Sequence, residues 1–265
     1  MIKFENTEVV GWEAAIRGMR NPMNSWERSD SCFNHEDGEY HDICGNCGPS
    51  FEDGGTIEIG PNDHDLMMRL AKAGTEHAKY RRMIVCYVDI TAPLYWWKEF
   101  DTYKVGTVSN SCSTMHKIAE KEFTLEDFSC EHLIDFFKET DASEYTDERG
   151  YDFTNHPVIG TAVGTNMLYL SPVGIMEKNI HMLNVCRKLY LETNDKRYWW
   201  QMIQLLPSSY NQRRTIMLNY EVLAGIYRQR QGHKLDEWRV GFMEWIESLP
   251  YSEIITGGKK NGEDT

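Results

Sequence analysis

The residues best suited to chemistry gather in two stretches. The first is LLPSSYNQRRTIMLNYEVLAGIYRQRQGHKLDEW, from Leu205 to Trp238. Pro207 to Arg214 reads as a turn rich in hydrogen-bond donors, and the helix after it carries Asn219, Val222, Leu223, Ile226 and Arg230. Asn219 and Arg230 are eleven residues apart, about three turns at 3.6 residues per turn, so the spacing predicts an amide and a guanidinium on one helix face. A guanidinium is always charged and planar, which suits it to gripping an oxyanion or steadying charge on a carbonyl oxygen. Arg213, Arg214, Arg228 and Arg230 also fit a plainer reading, solvated charges that pair with an acidic chain.

The second stretch is DTYKVGTVSNSCSTMHK, from Asp101 to Lys117. Its lysines, hydroxyls and histidine can offer donors to a phosphate at a helix start, with Lys104, Ser113, Thr114, His116 and Lys117 as the candidates and Arg213 and Arg214 as further cations. The same Ser, Thr and Asn residues serve equally as helix caps. Cys112 reads as a small buried thiol. A third cluster, Cys32, His35, His41, Cys44 and Cys47, ends in a C-x-x-C with the bite of a zinc knuckle. It has no second pair and lies among acidic and Gly-rich residues, so it reads as a surface loop and no metal site is expected. The pairs Trp96-Trp97 and Trp199-Trp200 can stack on a flat cofactor, but they suit a core or a subunit interface better. Gly-rich phosphate loops, a G-x-S-x-G elbow and H-E-x-x-H are absent from the sequence.

The elements that must position these groups follow from periodicity and breakers. A short helix is expected at Trp12 to Met19, a long irregular excursion from about Ser29 to Gly60, and a helix opened by Pro61-Asn62-Asp63 and closed by Gly74. RRMIVCYVDIT reads as a strand that includes about Met83 to Thr91 and ends at Pro93. LYWWKEFDTYK is helical in spacing, Ser111 to Lys121 begins a second helix, and Thr124 with Asp127 resembles a capping box before an amphipathic helix, LEDFSCEHLIDFFKE. Residues 140 to 165 read as a loop with at most a short strand. Helices follow near 174 to 193, 196 to 206, 217 to 231 and 235 to 248. The fold class expected is α+β, a helix-rich single domain over residues 1–255 with a small antiparallel or mixed sheet and a disordered tail over 256–265.

The chain has 265 residues, 41% of them hydrophobic, enough for a full core. A formal net charge of -13 argues against broad binding to nucleic-acid backbones, while leaving room for a basic pocket that holds one nucleotide. The sequence offers no apolar run of membrane-spanning length and no basic, apolar leader, so a cytoplasmic protein is expected. Seven cysteines, an odd number, read as thiols.

Leu206-Pro207, Asn219 and Arg230 resemble, in spacing, the C-terminal part of the flavin-dependent thymidylate synthases. HAKYRRMIVCYVDITAP looks like that family's helix-end histidine and the strand leading to Ala-Pro. With Ala92-Pro93 as register, the second stretch falls on the family signature RHRxxSxNExSxR: Thr102, Tyr103 and Lys104 at RHR, Thr107 at the first Ser, Asn110 at Glu, Cys112 at the second Ser, Thr114 at the final Arg. The resemblance covers about Leu66 to Lys117 and Leu205 to Leu249, with a weaker echo in WEAAIRGMR. Departures are Thr102 and Thr114 in place of arginines, Gly225 for an asparagine near the flavin, Lys234 for a histidine and Ile203 for a nucleotide-holding arginine.

The resemblance implies a homotetrameric methyltransferase that methylates the pyrimidine of dUMP or a related deoxynucleotide, using methylenetetrahydrofolate, NADPH and reduced FAD. It implies Arg230 as the catalytic residue, stabilising negative charge on the pyrimidine carbonyls as C5 becomes nucleophilic. Substrate binding falls to Arg230, Glu99, Asn110, Cys112, Ser113 and Thr114, and flavin binding, weakened by the departures, to His77, Tyr103, Lys104 and Asn219. The degraded signature equally fits a nucleotide-binding protein on the same scaffold that has lost flavin and catalysis.

Overall fold

The computed structural model describes residues 2–33, 57–134, 159–163 and 166–258. The chain forms two compact units, one of Ala92–Lys98 with Ser111–Arg213, the other of Ile2–Thr91, Glu99–Asn110 and Arg214 onward. The fold is helix-rich α+β with a small antiparallel sheet, as expected.

The second unit is organised by four strands: β1 (Lys3–Val10), β2 (Val85–Pro93), β3 (Thr107–Ser111) and β6 (Asn211–Asn219), in the order β1-β2-β6-β3. β1 runs antiparallel to β2 from Lys3 opposite Thr91 to Val10 opposite Val85, with a shift of register between Glu5 and Glu8. In β2 the side chains of Cys86, Val88 and Ile90 alternate into the core, the period of two that marked this strand in the sequence. Burial pushes the Cys86 thiol up to about 12, so it is an inert packing group.

β6 was hidden from sequence reading, which takes its residues as a donor-rich turn and the start of a helix. Ile216 and Leu218 are buried in alternation, but the polar residues between them mask the pattern. Arg214 bonds Asp101 at 2.7 Å and Thr215 bonds Asp89 at 2.6 Å, so the outward side chains are satisfied by neighbours far away in sequence. The helix expected from 217 therefore starts three residues later, as Tyr220–Arg230. It buries Tyr220, Leu223, Ala224, Ile226 and Tyr227. A π turn, Glu237–Phe242, follows, and then a short helix, Met243–Glu247. Phe100, Trp238 and Phe242 form an aromatic core, with ring centroids 5.2 to 6.4 Å apart.

The same unit contains α1 (Trp12–Arg20) and α2 (Pro61–Lys72), both near their expected places. A fully buried ion pair joins them, Arg20 Nε to Asp63 Oδ1 at 2.6 Å. Asp63 Oδ2 also accepts from both serine hydroxyls, Ser29 and Ser31, and from the backbone N–H groups of Asp30 and Ser31. Asp30 returns the favour by accepting from Asn62 and Asp63 N–H, which caps α2. A Cβ on Gly60 would sit 2.2 Å from Asp30 O, so this closure requires glycine. Alongside, Cys32 and Glu58 exchange backbone bonds of 2.8 and 3.2 Å. The rest of the Cys/His cluster, His35 to Cys47, lies outside the described residues.

In the first unit, α5 (Pro172–Thr193) and α6 (Lys196–Leu205) pack along each other. Leu183, Cys186 and Met202 of these helices form a core with Ile118, Phe123 and Phe128. Ile159–Val163 (β4) and Asn166–Leu170 (β5) pair as an antiparallel hairpin, the first being a short strand inside the stretch 140–165, of which 140–158 lie outside the described residues. The capping box of Thr124 and Asp127 is present, but it closes only a 3-10 turn, Leu125–Asp127. Phe128 is then extended and bridges to Tyr210, because burying its ring in that core takes it out of a helical path. The amphipathic helix expected there is thus absent through residue 134.

Candidate functional site

Three of the residues singled out by sequence, Glu99, Tyr103 and Arg230, lie in one cluster, built within the second unit. The helix Leu94–Phe100 ends by placing Glu99. The turn after it, in which Thr102 and Tyr103 N–H bond back to Glu99 and Phe100 O, presents Tyr103. Arg230 is the last residue of the helix Tyr220–Arg230, a position favourable to a cation because unpaired carbonyls point that way.

Arg230 Nε donates to the Tyr103 hydroxyl at 2.7 Å and Nη1 to Glu99 Oε2 at 2.9 Å. Its guanidinium lies 4.8 Å from the Trp238 ring centroid and 5.5 Å from that of Tyr103, two cation–π contacts on one group. The Tyr103 hydroxyl in turn donates to Gln229 Oε1 at 3.1 Å. With 19% of its side chain exposed, Arg230 is held on several sides yet still reaches solvent.

His233 completes the cluster and was missed by sequence reading, which looked to position 234 for a histidine. Its Nδ1 accepts the Leu235 N–H at 3.2 Å, which places the ring proton on Nε2. Nε2 lies 3.3 Å from Glu99 Oε2. The sequence signal was weak, since a lone histidine in a helix-linking turn has no periodicity to mark it. Glu99 Oε2 thus accepts from Arg230 with His233 close beside it, and the charges of Arg230 and Glu99 offset each other.

The structure places the other expected residues elsewhere. Asn219 is the N-cap of the helix that ends in Arg230: its Oδ1 accepts from Val222 N at 3.0 Å. A Cβ on Gly106, at φ 76°, would come within 2.9 Å of the Asn219 amide nitrogen, so both ends of this amide are enclosed. Asn219 and Arg230 sit at opposite ends of the helix, about 16 Å apart along its axis at 1.5 Å per residue. They do not form the shared face that the spacing suggested. His77 is exposed in a turn, its N–H bonded to Gly74 O. Lys104 and Asn110 are exposed, and Arg214 is held by Asp101 and is not a spare phosphate ligand.

Cys112, Ser113 and Thr114 belong to the first unit. Ser113 caps the single helical turn Thr114–Lys117, accepting from His116 N and lying 2.6 Å from His116 Nδ1. Gln212 Nε2 bonds both Cys112 O and Thr114 Oγ1, at 2.9 and 3.1 Å. Cys112 is exposed, not the buried thiol expected. Trp96 and Trp97 are fully buried, so they act as core residues and not as a stacking platform. Trp199 and Trp200 form an edge-on pair 5.0 Å apart, with Trp200 exposed.

The four residues expected at a flavin fit it poorly. Asn219 is taken up as a cap and the Tyr103 hydroxyl both accepts and donates within the cluster, while the side chains of His77 and Lys104 are exposed. Among the described residues there is no group of three or more His, Cys, Asp or Glu that could hold a metal, and no helix long and apolar enough to cross a membrane.

No protein-family model matches the sequence, and no curated protein matches it. The fold, however, is similar to solved structures. Thymidylate synthase X from Helicobacter pylori, crystallised with FAD and dUMP, is 15% identical, with 96% of this chain and 96% of that chain covered and a TM-score of 0.56. A second structure of the H. pylori flavin-dependent enzyme, complexed with FAD and dUMP, is 13% identical over 95% and 96% of the two chains, at 0.54. The UMP/dUMP methylase PolB from Streptomyces cacaoi, bound with 5-Br dUMP, is 11% identical over 97% and 94%, at 0.51. At these identities the likeness establishes the fold.

Proposed function

We propose that this protein binds a pyrimidine deoxynucleotide, dUMP or a close relative, and methylates its base in the manner of a thymidylate synthase. The observation that carries the reading is Arg230, a guanidinium gripped by Glu99, Tyr103 and Trp238 so that it meets a ligand already oriented. The solved structures of similar fold support it, since they hold dUMP or 5-Br dUMP.

Arg230 donates to a carbonyl oxygen of the base. As C5 attacks the incoming one-carbon unit, charge gathers on that oxygen, and a guanidinium fixed beforehand stabilises it without reorganising. The reaction also needs a one-carbon unit and a hydride, which methylenetetrahydrofolate and FAD reduced by NADPH would supply if bound. This chain binds FAD weakly, because two of the four residues expected to hold it are engaged elsewhere. The homotetramer rests on the resemblance, and the cytoplasmic location on the sequence expectation alone.

One observation favours a second reading, a nucleotide-binding protein without flavin or catalysis: Asn219 spends its Oδ1 as a helix cap. The absorbance spectrum of the purified protein, followed by titration with FAD and dUMP, tests both. A flavin spectrum, or FAD fluorescence quenched at about tens of micromolar, supports the enzyme. Colourless protein that binds dUMP but not FAD supports the second reading, and failure to bind dUMP removes both.

A further inference from the structure

We propose that a second copy of this chain docks along α1 across a two-fold axis, each copy setting Met23 and Trp26 into an apolar pocket at the start of the other's α1. The contact concerns assembly and stands apart from the nucleotide reading. It would supply one two-fold axis of the proposed homotetramer.

The projecting part follows α1. Two 3-10 turns carry it, Asn21–Met23 and Trp26–Arg28, and Asn24, in the left-handed region at φ 46°, joins them. Met23 is 84% exposed and Trp26 48%, yet the backbone beneath them is firmly bonded. Asn24 N–H donates to Asn21 O, Ser25 N–H to Arg20 O and Ser29 N–H to Trp26 O, at 2.9 to 3.2 Å. Ser25 O also accepts from the buried Arg20 guanidinium at 3.1 Å. Trp26 Nε1 donates to Asn21 Oδ1 at 2.8 Å. With its one N–H used inside the loop, the indole has only apolar surface to offer. Large apolar side chains held on a rigid backbone lose little freedom on docking, and tryptophan is prominent among the residues that dominate interfaces.

The receiving part lies at the other end of the same helix. A pocket of about 380 Å³ is lined there by Val9, Val10, Trp12, Ala14, Phe33 and Ile57, with Glu13 beside them. Projection and pocket belong to one unit, but α1 separates them by about 14 Å from Gly11 to Arg20 at 1.5 Å per residue. A rigid projection therefore cannot fill the pocket of its own chain. A two-fold axis perpendicular to the middle of α1 lays two copies of the helix antiparallel and brings each projection to the other's pocket. Such a contact is isologous, so it closes as a dimer with both apolar features covered. Between the two ends runs an exposed line of residues four apart, Glu13, Arg17 and Asn21. Arg17 Nη1 bonds Glu13 Oε1 at 3.2 Å, so the line carries no net charge, and two copies can meet along it although the chain as a whole stands at -13.

The test is sedimentation velocity of the full chain at micromolar concentration, for wild type, Met23→Ser, Trp26→Ser and the pocket variant Val10→Lys, with thermal melts to confirm folding. Each variant should fall to a smaller assembly than wild type, with self-association weakened by about tenfold or more. An equal mixture of Trp26→Ser with Val10→Lys should regain part of the association. The intact Trp26 of one chain then meets the intact pocket of the other, restoring one of the two contacts, which misfolding in either variant would not do. Should Trp26→Ser or Val10→Lys melt early, Met23→Ser decides alone, since a side chain so exposed does not support the fold. Variants that assemble as wild type does, or a mixture no larger than its parts, overturn the contact and leave the homotetramer to other surfaces. The same result follows if the pocket is filled by residues 34–56 or by a different protein. A monomeric wild type overturns the contact and the homotetramer together.

Discussion

Two arginine–carboxylate pairs in the second unit have nearly the same chemistry and opposite uses. Arg20 with Asp63 is sealed: neither side chain has appreciable exposure, and Asp63 collects a guanidinium, two hydroxyls and two backbone N–H groups. Arg230 with Glu99 is half finished: two aromatic faces, a phenol and an imidazole fix the pair, and an oxygen and a nitrogen remain over. A buried ion pair is tolerated only when its remaining hydrogen-bonding capacity is met from within the protein. One that leaves capacity unmet near solvent is arranged for something else. Saturation, more than the presence of charge, separates the structural arginine from the one proposed to meet a ligand.

The sharpest way to break this comparison is at Asp63. Asp63→Ala leaves Arg20 buried without its partner and should cost about 3–5 kcal/mol of stability, read from denaturant unfolding. The loss should depend on pH. Burial pushes the Asp63 carboxyl up, but the bonds from Ser29, Ser31 and Arg20 outweigh it and hold the group below the usual carboxylate range. Its contribution is therefore complete above the unfolded value of about 3.9 and is lost as pH falls through the lower folded value. The gap between wild type and Asp63→Asn should close on acidification, and a gap that widens would contradict the saturated pair.

Arg230 should behave in the opposite way, with little effect on stability and a large one on ligand. Arg230→Ala is expected to weaken dUMP binding by roughly thirty- to hundredfold, about 2–3 kcal/mol, while its melting temperature stays close to wild type. Arg230→Lys should fail nearly as badly, since an ammonium cannot reproduce the planar fork. Arg228, two residues away and exposed, is the control, and its alanine variant should bind normally. Calorimetry on the three variants decides the matter, and equal affinities would remove Arg230 from the site.

Asn219 sharpens the contrast further. As a cap, its loss in Asn219→Ala should cost about 1 kcal/mol, and Asn219→Asp, which also caps, should restore most of it. A flavin contact would show instead as a change in FAD affinity without a change in stability. The smallest effect is expected at Gly225, in the middle of the same helix with nothing within 4 Å of an added Cβ. Gly225→Ala should stabilise by about 0.5–1 kcal/mol through helix propensity alone, and a loss of stability in thermal melts would mean that the space is needed.

Much of the fold was legible because its signals are local. Pro61 opens a helix, alternation in VCYVDI makes a strand, and the long helices Pro172–Thr193 and Lys196–Leu205 fall where periodicity put them. β6 was not, because the groups that satisfy Arg214 and Thr215 are more than a hundred residues away. At the site, Arg230 was legible from spacing, and Glu99 and Tyr103 from register with a known signature. His233 was not: its role comes from a bond to Leu235 two residues on and from reaching a carboxylate on another element. Asn219 was misplaced for a related reason, since helical spacing cannot say where a helix begins, and one turn of error converts a face residue into a cap.

The closure at Cys32 and Glu58 bears on how this chain can change over evolutionary time. The backbone on the two sides of the excursion is already joined there, and Asp30, Gly60 and Asp63 lock the junction. Once the ends are fixed, lengthening the segment between them costs only a slowly growing loop entropy, about 0.6 kcal/mol for each doubling. The junction is therefore set by Asp30, Cys32, Glu58, Gly60 and Asp63 themselves, so changes of chain length between its two ends are expected to leave it intact.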